Sequence, residues 1–229
     1  MIARSAIFWI PTLTLLLGCE TPAPIGGPPM PTLPTGNLTT PAHPSLGEIE
    51  RLDPALDQLI AREAVIEQLA DGFDWAEGPV WVQPAEGKGF VLFSDIPPNK
   101  IYKWSEADGL EDYLQPSGYT GTTLRAGQPG SNGLLLDAQG RLVLCQHGDR
   151  RIARLTTPLN APQPTYQTVI GAYQGKRFNS PNDGCFDRQG NLYFTDPPYG
   201  LEKRLSDPAK ELSFQGVYLF TQGGELKLL

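Results

Sequence analysis

From Ala64 onward, apolar residues fall in short runs separated by polar, Gly or Pro clusters, a pattern of strands rather than helices. The first set is Val65-Ile66-Glu67-Gln68-Leu69, Val80-Trp81-Val82, Phe90-Val91-Leu92-Phe93 and Lys100-Ile101-Tyr102-Lys103-Trp104. The runs return as Leu134-Leu135-Leu136, Leu142 to Cys145 and Arg151 to Leu155, and again as Gly184-Cys185-Phe186, Leu192 to Thr195 and Gly216 to Phe220. Asn132, Asp137, Gln139, Gly140 and Leu142 recur 50 positions later as Asn182, Asp187, Gln189, Gly190 and Leu192. Asp-x-Gln-Gly at 137–140 and 187–190 reads as a tight turn, because Gly supplies the positive φ that a hairpin connection needs. Each copy is therefore an antiparallel meander. Repeating units of this length match the blades of a β-propeller, an all-β fold in which the first strand of each blade lines a central channel.

A more diverged copy opens at Glu77-Gly78-Pro79-Val80-Trp81, in the place of Asn132-Gly133 and Asn182-Asp183. Its Phe93-Ser94-Asp95-Ile96-Pro97-Pro98 resembles Phe194-Thr195-Asp196-Pro197-Pro198. Glu77, Asn132 and Asn182 each precede an innermost strand, so the repeat predicts that they converge at the channel mouth. Residues 64–229 form the expected partial propeller, with about three blades. The final segment, after the turn at Gly223-Gly224, is expected to open another unit.

Ahead of the strands the period changes. Ile49, Leu52, Leu56, Leu59 and Ile60 have the spacing of a short amphipathic helix over 48–63, with Pro54 tolerated near its first turn. Residues 19–47 carry Pro at 22, 24, 28, 29, 31, 34, 41 and 44, which favours an extended tether. Residues 1–18 have one positive charge, Arg4, then an apolar stretch too short for a comfortable membrane span, which reads as a signal peptide. It ends in Leu16-Leu17-Gly18-Cys19, similar to a bacterial lipobox, which makes Cys19 the expected lipidated residue of an exported, envelope-anchored protein. An ordinary signal peptide with an incidental Cys is the alternative.

The formal net charge is −7, and loss of Arg4 with the signal makes it −8. A negative surface repels phosphate backbones, so nucleic acid is not an expected partner. Cys145 and Cys185 stand at different positions of the repeat, and the pattern predicts free, buried thiols. With no CxxC and no Cys/His cluster, a structural zinc site is not expected.

A carboxylate at Glu77, flanked by aromatic residues, must be solvated, paired or bound to a cation. Asn182, in Asn179-Ser180-Pro181-Asn182-Asp183-Gly184, is equally what a turn is made of. Carboxylate and amide oxygens together form a hard site suited to calcium or magnesium, which zinc or manganese also occupies. His147 and Asp183 are the remaining polar candidates near the channel, His147 having the alternative of a loop residue with no role. Arg150 and Arg151 are expected to face solvent or pair with acids. Neither Gly-x-Ser-x-Gly nor a Ser/His/Asp ordering is present, which argues against a serine hydrolase.

Taken together, Ala76-Glu77-Gly78-Pro79-Val80-Trp81, Ser131-Asn132-Gly133-Leu134, Asn179-Ser180-Pro181-Asn182-Asp183 and Phe194-Thr195-Asp196-Pro197-Pro198-Tyr199-Gly200-Leu201 resemble the gluconolactonase / senescence marker protein / luciferin-regenerating enzyme family over about residues 60–229. The resemblance implies a six-bladed propeller that holds one divalent cation, calcium first, and hydrolyses sugar lactones or related esters. It assigns Glu77 and Asn182 to the metal, and Asn132, Asp183 and His147 to the substrate. The family's later Asn and its proton-accepting Asp have no match before Leu229, so the catalytic residue is unassigned and the chain is expected to be truncated. A symmetric dimer could complete the ring. A lipid-anchored propeller that binds without catalysis is the alternative function.

Overall fold

The computed structural model describes residues 42–229. The signal peptide, Cys19 and most of the tether lie outside them. The chain divides into two compact units, Met1–Leu69 and Ala70–Leu229.

In the described part of the first unit, Ser45 and Glu67 form an isolated antiparallel bridge. The strand expected over Val65–Leu69 is reduced to that bridge. The helix expected over 48–63 is reduced to a single 3-10 turn, Pro54–Gln58, whose start is capped by Asp53 accepting from the Ala55 N–H at 2.7 Å. Among the described residues its apolar positions find little to pack on, since Leu52 is 85% exposed and Leu59 60%. Without tertiary burial of one face, so short a helix is not stable.

The second unit is built from three four-stranded antiparallel sheets and a small hairpin. The first blade is β1 (Ala76–Val82), β2 (Phe90–Asp95), β3 (Lys100–Ser105) and β4 (Gly109–Leu114), paired in that order. The second is β5 (Ser131–Leu136), β6 (Leu142–Gln146), β7 (Arg151–Leu155) and β8 (Tyr166–Ile170). After the hairpin of β9 (Ala172–Tyr173) and β10 (Lys176–Arg177) comes the third: β11 (Gly184–Phe186), β12 (Leu192–Asp196), β13 (Gly216–Phe220) and β14 (Leu226–Leu228). The terminal segment read as the start of another unit is instead β14, pairing with β13 through Tyr218–Leu228 and Phe220–Leu226. The Asp-x-Gln-Gly turns form as expected, with φ of 71° at Gly140 and 81° at Gly190. In each, the Asp accepts backbone N–H groups two and four residues on, at 2.9–3.0 Å.

Strand alternation supplies two seams. Val82, Leu92, Ile101 and Leu114 of the first blade meet Leu134, Leu142, Leu144 and Leu155 of the second. The opposite face of the second blade, Val143, Cys145 and Ile152, meets Phe178, Leu192, Phe194 and Tyr218. Each such side chain contributes about 1.5–3 kcal/mol by leaving water. The second seam is aromatic, with Phe178, Phe194 and Tyr218 at centroid distances of 5.2–5.3 Å. Cys145 is buried there, and burial pushes its thiol pKa up. Cys185 corrects the expectation of two buried thiols: both are free, but Cys185 lies on the outward face of the third blade and is exposed.

Candidate functional site

Bulges align the opening strands. Register shifts between Glu77 and Val80 in β1, and between Ser131 and Leu134 in β5, put Glu77 and Asn132 at the same point of their blades. Asn182 takes that point in the third blade, where its N–H donates to the Thr195 carbonyl at 2.9 Å and the Thr195 N–H returns to the Asp183 carbonyl at 2.9 Å. A β-bulge re-aims a side chain that strict alternation would turn away.

The three openings are in direct contact. Gly78 has φ of 55°, and a Cβ on it would stand 2.2 Å from the Asn132 carbonyl oxygen, so only Gly permits the approach of β1 to β5. The Gly133 N–H donates to the Asn182 carbonyl at 2.7 Å, and a Cβ at Gly133 would fall 2.4 Å from Asp183 Oδ1. Asn132 Nδ2 donates to Asn182 Oδ1 at 2.9 Å. Below them, Ser94 Oγ bonds the Asn132 carbonyl at 2.8 Å and Ser131 Oγ at 2.7 Å. Glu77 is half-buried and accepts from the Trp75 indole N–H at 3.1 Å. Asp183 is exposed, with Oδ1 accepting from the Gly184 N–H at 2.8 Å.

His147 lies inside the protein rather than on an open wall. It is fully buried, and neither imidazole nitrogen has a hydrogen-bond partner. Burial pushes its pKa down to about 4, partly offset by the Asn182 side chain. Gly200 packs so closely that a Cβ there would lie 2.5 Å from His147 Cβ and 2.8 Å from Ser180 Cβ. Arg125, stacked over the Tyr119 ring at 5.0 Å, reaches down to the Gly148 carbonyl at 2.5 Å and the Gly200 carbonyl at 3.1 Å. It thereby ties the loop before β5 to the backbone on either side of this histidine.

Two carboxylates that the sequence displayed as a motif hold the site's approach segments. Asp95 accepts the Asp74 and Trp75 N–H groups at 3.2 and 2.8 Å, and Asp196 accepts those of Asn179 and Ser180 at 2.8 Å each. Their recurrence in Phe93-Ser94-Asp95 and Phe194-Thr195-Asp196 was the signal that could have revealed this role. Arg150 is buried rather than solvent-facing and meets the other arm of its expectation by pairing with Glu211 at 3.7 Å; it also donates to the carbonyls of Phe178 at 2.6 Å, Ala209 at 2.8 Å and Arg177 at 3.4 Å. Arg151 does pair with an acid, Asp149, at 2.9 Å.

Among the described residues, no group of three or more His, Cys, Asp and Glu could hold a metal. The strand openings carry instead one carboxylate, Glu77, and two amides, Asn132 and Asn182, which touch each other. Asn182 Oδ1 keeps one lone pair beyond its bond to Asn132, and Glu77 keeps Oε2, a donor set that fits a hard cation.

The model of the SMP-30/Gluconolactonase/LRE-like region matches residues 75–229. A gluconolactonase of Zymomonas mobilis subsp. mobilis is 38% identical over 188 residues, which are 81% of this chain and 51% of that protein. A solved gluconolactonase from Xanthomonas campestris, described as important in glucose secondary metabolic pathways, superposes with a TM-score of 0.65 at 30% identity, over 84% of this chain and 60% of that one. The chain thus spans about half the length of the Zymomonas relative.

Proposed function

Because the chain belongs to the SMP-30/gluconolactonase/LRE-like family, we propose that it is part of a sugar-lactone hydrolase, with Glu77 and Asn182 as metal ligands. The observation that carries this reading is the meeting of Glu77-Gly78, Asn132-Gly133 and Asn182-Asp183 at one point of three successive blades.

A divalent cation held by Glu77 and Asn182, calcium first with zinc, magnesium or manganese as alternatives, would supply Lewis acidity toward a lactone carbonyl. Asn182 Oδ1, which accepts from Asn132 Nδ2, is the atom that would reach the cation with its remaining lone pair. The Trp75 indole holds Glu77 in place. Asp183, exposed beside Gly133, is placed to accept hydrogen bonds from substrate hydroxyls. His147 enters the reading through Asn182, behind which it is buried. Export and anchoring through Cys19 belong to the same proposal, supported by Leu16-Leu17-Gly18-Cys19.

Hydrolysis of glucono-δ-lactone by the full chain, followed by pH-stat with and without chelator, tests the reading. Loss of turnover on chelation and in Glu77→Gln is expected. Turnover indifferent to both would remove the metal assignment, and calcium-dependent ligand binding without turnover would support the binding-module alternative.

A further inference from the structure

At the far end of the strands from Asn132 and Asn182, the seam between the second and third blades opens into a cavity of about 230 Å3. Asn132 and Asp137 bracket β5, so at about 3.3 Å per residue the two places are roughly 16 Å apart. Val143, Leu192, Phe186 and Phe220 form an apolar part of the wall, Gln139, Thr221 and Gln222 a polar part, and the rim carries Asp137, Arg141 and Arg154.

The rim is unbalanced in charge and in hydrogen bonds. Asp137 is heavily engaged: Oδ1 accepts the Gln139 and Arg141 N–H groups at 3.0 Å, Oδ2 accepts from Arg141 Nε at 2.9 Å, and Oδ2 also lies 3.1 Å from Arg154 Nε without hydrogen-bond alignment. Two guanidinium groups share one carboxylate, leaving one positive charge over. Arg141 has a further bond, from Nη2 to Gln139 Oε1 at 2.9 Å. Arg154 has none: its contact with Asp137 is an ion pair by distance, and its buried Nε finds no aligned acceptor. The buried Nε lacks an aligned acceptor, while the outer Nη donors of this one-quarter exposed side chain carry no bond within the protein and are open to an anion. The guanidinium's planar fork matches a carboxylate.

We propose that this cavity binds a small organic carboxylate with an apolar body. The carboxylate takes the free Nη donors of Arg154 and Arg141, and the body lies over Val143, Leu192, Phe186 and Phe220. The volume is about eight times a water molecule's share of the liquid, room for a ligand of benzoate size.

Benzoate is the probe. Calorimetric titration and thermal shift on the full chain should show saturable binding, with a Kd on the order of 1 mM for so small a ligand. Benzyl alcohol, which lacks the charge, and acetate, which lacks the body, should each bind at least tenfold more weakly. Arg154→Gln should weaken benzoate at least tenfold and leave lactone hydrolysis at its unsubstituted level. Arg141→Gln, at a side chain 48% exposed and so tolerant of change, should weaken it in the same direction if Arg154→Gln does not fold. Absence of saturable binding, equal affinity for benzyl alcohol, or benzoate binding unchanged in the folded variants would overturn the proposal.

Discussion

Asp196→Asn separates two opposing effects in one buried carboxylate. Asp196 is wholly inaccessible, and its two oxygens accept the Asn179 and Ser180 N–H groups at 2.8 Å. Desolvation outweighs those bonds and raises its pKa from 3.8 to about 6. A carboxyl whose folded pKa lies above its unfolded one stabilises the fold fully below the unfolded value and loses that contribution as pH rises through the folded value. The whole contribution is about 3 kcal/mol, and about 2 kcal/mol of it is lost between about pH 4.5 and 7.5. Asn cannot ionise, but it offers one acceptor oxygen for two donors, and leaving one buried N–H unpaired costs about 1–3 kcal/mol. The variant is therefore expected to be less stable than the unsubstituted protein at about pH 4.5, with a gap that narrows by about 2 kcal/mol by about pH 7.5. Urea unfolding at the two pH values measures it. A gap that stays constant or widens with pH would show that the two N–H bonds hold the carboxylate ionised, and the desolvation argument would be wrong.

Gly200→Ala places a methyl 2.5 Å from His147 Cβ; overpacking of about 1–3 kcal/mol is expected, read as a lowered Tm, and the displaced imidazole should weaken calcium binding by calorimetry. Arg150→Met keeps the stem of the side chain as far as Nε but strands the carbonyls of Phe178 and Ala209; a loss of about 3 kcal/mol in urea unfolding is expected, and a loss below about 1 kcal/mol would show that water replaces the guanidinium.

The parts of the fold that repeat were legible, and for a physical reason. Asp137 to Gly140 and Asp187 to Gly190 specify the same turn by the same positive φ, and the inward strands they join are apolar because they fill the seams. The outermost strands were not legible. Glu111 and Asp112 in β4, and Gln167 and Thr168 in β8, face water, so these strands carry no run to recognise. β14 was misplaced in the next unit for the same reason, with Lys227 and Leu228 exposed at the sheet edge. In the site, the alignment of Glu77 with Asn132 and Asn182 followed from the repeat. The burial of His147 did not, because it depends on Gly200 and Ser180, which are remote in sequence and pack over it only in the fold. The burial of Arg150 was not legible either, since its carbonyl partners belong to loops.

The two seams differ in chemistry, one aliphatic and one aromatic, and the indole side chains of the described residues, Trp75, Trp81 and Trp104, all sit in or beside the first blade. Emission from these three indoles therefore reports on the first blade. The second seam speaks through Tyr218 and the ring stack around it. Denaturation followed by indole emission and by near-ultraviolet tyrosine dichroism watches opposite ends of the same stack, so a difference between their midpoints would mean that neighbouring blades melt in sequence rather than together.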